Sequence, residues 1–131
     1  MEVDFRSLIT SDGAVAGLVG NRVYWGAIEQ TAAKPCVRLT LISGAPVYAS
    51  KGAAGLTSSR VQVDVRADSY AAARAVADAV EAVINGFSGI SGTTHFRSAL
   101  MLNQRAIVET LAGELQHLIS SDFEVWHKPA A

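Results

Sequence analysis

Residues Arg60 to Tyr70 constrain the fold more than any other stretch of the chain. Valines at 61, 63 and 65 alternate with Arg60, Gln62, Asp64 and Arg66, so an extended backbone turns one face apolar and the other charged. The pattern predicts a half-buried strand. Asp68 and Ser69 follow, with side-chain oxygens suited to the free N–H groups of a first helical turn. An Ala-rich segment then places apolar residues at 76, 80, 83 and 84, the stripe of an amphipathic helix that stops at Asn85-Gly86. Every other element is expected to pack on this strand-turn-helix unit.

Taken in order, Phe5, Leu8, Ile9, Val15 and Leu18 mark the buried stripe of a first helix over about Asp4 to Leu18. Ser11-Asp12-Gly13 interrupts it, so one helix and two, the second capped by Ser11 or Asp12, both fit. Arg22 to Gly26 reads as a short strand or extended segment, Gln30 to Lys34 as a loop, and Cys36 to Ile42 as a strand with Val37, Leu39 and Leu41 on one face. Ser43 to Ser59 is rich in glycine, proline and small polar residues and reads as a long hairpin loop, either a contact arm or an idle one. Gly86 to Gly92 forms a turn-rich connection, and Phe96 to Leu102 and Gln116 to His127 look like further strands. Asn103 to Glu114 fits a helical turn or a strand extension equally, and residues 128–131 are expected to form a short frayed tail. The predicted fold is a single α+β domain over residues 1–131, with a mainly antiparallel sheet of about four strands and helices packed on one face.

A chain of 131 residues buries about two thirds of the surface its unfolded form exposes, so it needs no disulfide or metal staple. The single Cys36 excludes an internal disulfide and reads as small buried packing. A formal charge of −1 gives no long-range field for nucleic acid or acidic membrane. The acidic start Met1-Glu2-Val3-Asp4 lacks the basic and apolar regions of a secretory signal, and charges interrupt every long apolar run, so a soluble, intracellular product is expected.

Candidate chemistry is thin. Gly86 to Gly92 lacks the lysine and Ser/Thr of a phosphate loop and follows a helix instead of leading into one. His117 and His127 lie about 30 Å apart on one predicted strand, too far to share a metal, and His95 has no helical partner. No Gly-x-Ser-x-Gly elbow is present. Asp122 and Glu124, about 7 Å apart on one strand face, suit a solvated or subunit-facing surface better than acid–base work. The basic residues are scattered singly, which argues against sequence-specific nucleic-acid recognition. No catalytic, cofactor or metal residue is assigned. The surviving candidates are contact residues: Arg60, Gln62, Asp64 and Arg66 on one strand, Asp122 and Glu124 on another, and Lys51 in the long loop.

Several segments together resemble a known family. They are Leu18-Val19-Gly20-Asn21-Arg22-Val23-Tyr24, the Lys34-Pro35-Cys36-Val37 strand entry, Arg60 through Tyr70 with the helix bearing Ala75, Val76 and Ala77, and the closing Asp122-Phe123-Glu124-Val125-Trp126. With these, essentially the whole chain resembles the tail-completion, or tail-terminator, proteins of long-tailed bacteriophages, prophages and gene-transfer particles. The resemblance implies a small subunit of a ring, commonly a hexamer, that caps the tail tube, stops its polymerisation and offers a surface for joining the filled head. It implies as partners a second copy of the chain, the tail tube protein and a head-neck connector, and a place at the head-proximal end of the virion tail after assembly in the host cytoplasm. Two rival readings are a head-side neck protein and, in another class, a ligand-binding or enzymatic domain using Asp122 and Glu124.

Overall fold

The computed structural model describes residues 1–27, 33–49, 52–111 and 113–130, with side chains unassigned at 47–49, 52–54 and 111. Two N-terminal helices, α1 (Glu2–Thr10) and α2 (Gly13–Val19), lead into a short strand β1 (Val23–Trp25). The hairpin β2 (Cys36–Ala49) and β3 (Gly52–Ala67) precedes helix α3 (Tyr70–Ile84). Strands β4 (Gly89–Ser91), β5 (Thr94–Leu111) and β6 (Glu114–Pro129) complete the chain.

Local chemistry explains the helix boundaries. The interruption at Ser11 to Gly13 splits the first helix in two, and the Asp12 carboxylate caps the second by accepting from Val15 N at 3.1 Å. Ser69 caps α3 by accepting from Ala72 N at 3.2 Å, while Asp68 faces Lys34 instead, 3.8 Å away. Helix α3 buries Ala73, Val76, Ala77, Val80 and Ile84 and packs on β3 and β6. Beneath it lie Val61, Val63, Val65, Ala67, Ile119, Phe123 and Val125, the inward set that strand alternation requires. Each fully buried aliphatic here contributes about 1.5–3 kcal/mol. Phe5, from α1, packs between Trp25 and Phe96, with ring centroids 6.1 and 6.4 Å away.

The sheet corrects the expectation of about four mainly antiparallel strands with helices packed on one face. It has six strands in the order β1-β2-β3-β6-β5-β4, is mixed because β1 runs parallel to β2, and is curled. Strand residues outnumber helical ones by more than two to one. The long loop expected over 43–59 is also corrected, because β2 and β3 stay paired from Cys36↔Arg66 out to Ala49↔Gly52. Lys51 lies outside the described residues, as does most of the loop expected at 30–34. The ambiguous segment 103–114 is a strand extension, paired from Asn103↔Asp122 to Leu111↔Glu114. The frayed tail is corrected too: Lys128 and Pro129 belong to β6, and Ala130 N donates to Thr93 O at 2.9 Å. Both hairpins extend beyond the helical layer, where no buried face imposes an alternating pattern on the sequence. Among the described residues no helix is long and apolar enough to cross a membrane.

One clamp ties α1 to the far edge of the sheet. The half-buried Asp4 carboxylate accepts from Thr94 Oγ1 at 2.6 Å and from Thr93 N at 3.3 Å. Gly92, at φ +57°, makes this approach possible, since a Cβ there would collide with the carboxylate. The Thr94 hydroxyl, with help from Thr93, holds the Asp4 carboxyl below its ordinary pKa. A carboxylate depressed in the folded state stabilises above its unfolded pKa and loses that contribution as pH falls through the folded one. Asp4→Asn is therefore expected to lower stability at neutral pH and to narrow its gap from wild type under acid, as read by urea denaturation at both pH values. In the core, Phe123→Ala, at a side chain 1 % exposed, is expected to cost about 3–5 kcal/mol, measured the same way.

Candidate functional site

The face of the sheet opposite the apolar core gathers the candidate residues. Strands β3 and β6 are direct neighbours, and their register sets Arg60 opposite Glu124, Gln62 opposite Asp122 and Asp64 opposite Ser120. Across the other edge of β3, Arg38 of β2 stands opposite Asp64, and Asn103 and Arg105 of β5 stand opposite Asp122 and Ser120. Alternation places all of these side chains on one face. Six of the seven sequence candidates thus come together; Lys51 is the one outside the described residues.

The face is polar, yet its short acidic residues are desolvated. Asp64 is 0 % and Asp122 5 % exposed. Asp64 is held by Arg38, whose Nη2 donates to Oδ2 at 2.8 Å, and by Gln62 Nε2, 2.9 Å from Oδ1. Asp122 accepts from Arg60 Nη2 at 2.8 Å, with Arg105 Nη1 3.7 Å away. Glu124 accepts from Trp126 Nε1 at 3.0 Å and from Ser58 Oγ at 3.1 Å. Those two donors, Trp126 first, hold its carboxyl below the ordinary range. Burial of a carboxylate is tolerated only with such partners, and the long arginines cover the acids they neutralise.

Three buried polar atoms on this face make no hydrogen bond among the described residues: Arg66 Nε, Ser120 Oγ and Asp122 Oδ1. Arg66 also forms no ion pair among them, although Asp64 stands two residues away on the same strand face. Each unsatisfied buried polar group costs about 1–3 kcal/mol.

Asp122 and Glu124 are each engaged by different donors. The clefts described run beside Met1 and His127 or beside Ser7 and Phe87 and are not lined by either acid. Among the described residues no group of three His, Cys, Asp or Glu side chains is placed to hold a metal ion. His127 does meet Ser59, at 2.9 Å, and burial lowers its pKa. Arg38, Arg105, Ser58 and Trp126 were not among the sequence candidates, and only the strand register reveals them. The available signal was the alternation of Arg38 between Val37 and Leu39, which puts it on the charged face.

Removing one partner from a buried pair leaves its charge uncompensated, so Arg38→Ala is expected to cost about 1.5–3 kcal/mol, the range for hydrogen bonds to charged groups. Arg60→Ala is expected to cost less, since that side chain is more exposed, 44 % against 30 % for Arg38. The double change Arg38→Met with Asp64→Leu is expected to restore most of the stability, because an apolar pair of similar volume replaces the buried ions. Chemical denaturation of the three variants checks the order.

Comparison with known proteins adds the family. The family described as Tail completion protein gp17 matches residues 4–127. Among solved structures, a chain from the virion of a native gene transfer agent (GTA) particle shares the fold, with a TM-score of 0.77. It is 21 % identical, and the match covers 97 % of this chain and 93 % of that one. No curated protein matches the sequence. With all but its first three and last four residues matched by one family, the chain belongs to the tail completion protein gp17 family.

Proposed function

We propose that this tail structural protein forms a ring that caps the tail tube, ends its polymerisation and presents the head-proximal surface to which the filled head joins. The observation that carries the reading is the family match over residues 4–127. The polar sheet face supports it. Its mixed charge, with Arg60 and Arg105 exposed over the acids they pair with, suits salt-bridged contact with another chain.

In this reading the ring is a hexamer, and Arg60, Asp64 and Arg66 contribute ring or lumen contacts, with Gln62, Asp122 and Glu124 beside them. The β2–β3 hairpin, with Lys51 at its tip in the sequence, reaches the last ring of the tube. The tail tube protein and a head-neck connector are its partners, and it acts in the virion after assembly in the host cytoplasm.

The two hairpin tips support a two-sided role. Thr57 pairs with His127 at one end of the β3–β6 ladder and Ala67 with His117 at the other, so the β2–β3 and β5–β6 turns leave the sheet at opposite ends. One molecule therefore projects a ribbon in each direction along its strands, as a piece that joins two structures requires.

Polymerising purified tube subunits with and without the protein tests the proposal. Tubes are expected to stop lengthening when it is added, and electron microscopy is expected to show it at one end only. Unchanged growth, or binding to a portal or adaptor ring with no effect on the tube, would remove the terminator role. Arg66→Glu is expected to weaken ring assembly by about tenfold, equal to 1.4 kcal/mol, with the thermal midpoint of the monomer preserved. Unaltered assembly and capping by that variant would remove Arg66 from the contacts.

A further inference from the structure

Among the described residues, the edges of the sheet are uncovered in complementary halves. Strand β1 covers β2 only at Val37–Leu39, and Gly26 N takes the Leu39 carbonyl at 2.9 Å. Beyond that point Thr40 to Pro46 pairs with β3 on one side and with none of the described residues on the other. At the opposite edge, β4 covers β5 at Thr94–Phe96, and the chain at Asn85 and Gly86 takes Met101 N and the Ala99 carbonyl. From Asn103 to Glu109, β5 pairs only with β6 among the described residues.

Both windows are marked by exposed large apolar side chains. Leu41 and Ile42 in the first are 42 % and 48 % exposed, and Leu102, Ile107 and Val108 at the second are 47 %, 37 % and 59 % exposed. The first window, Thr40-Leu41-Ile42-Ser43-Gly44-Ala45-Pro46, carries no charge. An uncharged edge of this kind templates pairing with another chain, since folded proteins usually block edges with lysine or other charges; the second window carries Arg105 and Glu109. Here a bulge near Ile42 and the proline at 46 bound the window, restricting pairing to a short stretch.

We propose that the Thr40–Pro46 edge of one copy pairs antiparallel with the Asn103–Glu109 edge of the next, so that the sheet runs on from subunit to subunit. The inference rests on the ring reading above and names the contact that closes it. Strand direction favours it. With β2 antiparallel to β3, β3 to β6 and β6 to β5, β2 and β5 run in opposite senses. Copies arranged around one axis, with their strands tilted to it in the same sense, therefore bring β5 beside β2 as an antiparallel pair. The two edges differ, so the contact is head-to-tail and generates a ring when its rotation closes.

The offset between the windows also fits closure. Ser43, at the centre of the first window, is level with Leu100 through Arg60 and Glu124. Ala106, at the centre of the second, pairs with Ile119, five ladder positions from Glu124 because of the bulge after Met101, or about 17 Å at strand rise. Counting the gap across the subunit boundary, the four long strands repeat about every 19 Å. A strand tilt of about 40° brings the windows together, within the roughly 35–45° range of closed sheets.

Cross-linking tests the contact. Ile42→Cys and Val108→Cys are combined in one chain and treated with a short bis-maleimide, with the mass read in parallel by light scattering. Within one copy the two positions are more than about 20 Å apart by strand rise and spacing, so no intramolecular link forms. Native Cys36 is 1 % exposed and serves as the unreactive wild-type control. A covalent ladder ending at the mass of the intact oligomer, with no links in either single variant, is the expected result. An oligomer by mass that gives no ladder, or single variants that dimerise, overturns edge pairing and leaves the ring standing. A monomer at every concentration and in the presence of tube removes the ring and the edge contact together. Ile42→Lys supplies a second reading, since an edge charge is expected to raise the concentration needed for assembly at least about tenfold without altering the fold. Assembly unchanged in that variant also overturns the pairing.

Discussion

The β3–β6 ladder buries valines on one face and two paired carboxylates on the other, and the rest of the molecule is arranged around that constraint. Beneath it, Val61, Val63, Val65, Ile119, Phe123 and Val125 are all 2 % exposed or less. Above it, Asp64 and Asp122 are sealed under Arg38 and Arg60. Slipping the register by one residue would put carboxylates against α3 and valines among arginines. The two chemistries therefore fix the pairing of the central strands more firmly than either would alone. Arg38 reaches across from β2 and Arg105 from β5, so the same requirement fixes the neighbours on each side.

Beyond this centre the constraint relaxes, and the structure changes character. The β2–β3 and β5–β6 hairpins run on as ribbons, with Glu109 and Thr110 of β5 exposed in succession past the end of the β3–β6 ladder. A two-stranded ribbon is marginal in water on its own. These ribbons are held because each continues strands anchored in the core.

How much of this was legible in the sequence follows from where burial imposes a pattern. Strand β3 and helix α3 were readable because each is buried on one side, which writes a period of 2 or 3.6 into the residues. The break at Ser11 to Gly13 was readable from capping chemistry, though the choice between one helix and two needed the structure. Ser43 to Ser59 was misread as a loop because a ribbon outside the core has no apolar alternation, and its glycine, serine and proline are the residues of turns. The six-stranded mixed order was not legible, since the parallel β1–β2 pair and the three-residue β4 leave almost no local signature. The charged face was foreseen from Arg60 to Arg66 and from Asp122 and Glu124. That its carboxylates are buried, and that Arg38 neutralises Asp64, depends on register between strands far apart in sequence.

Membership of the tail completion family and the architecture of the sheet converge on a subunit built to be joined. The acids of the polar face are bound up in ion pairs, which suits a surface of fixed shape more than a reacting one. The most direct measurement is cryo-electron microscopy of tails assembled with the protein, with its position along the particle as the readout. The account predicts a single closed ring at the head-proximal end of the tube. Subunits distributed along the tube, or bound to the head shell in its place, would contradict it.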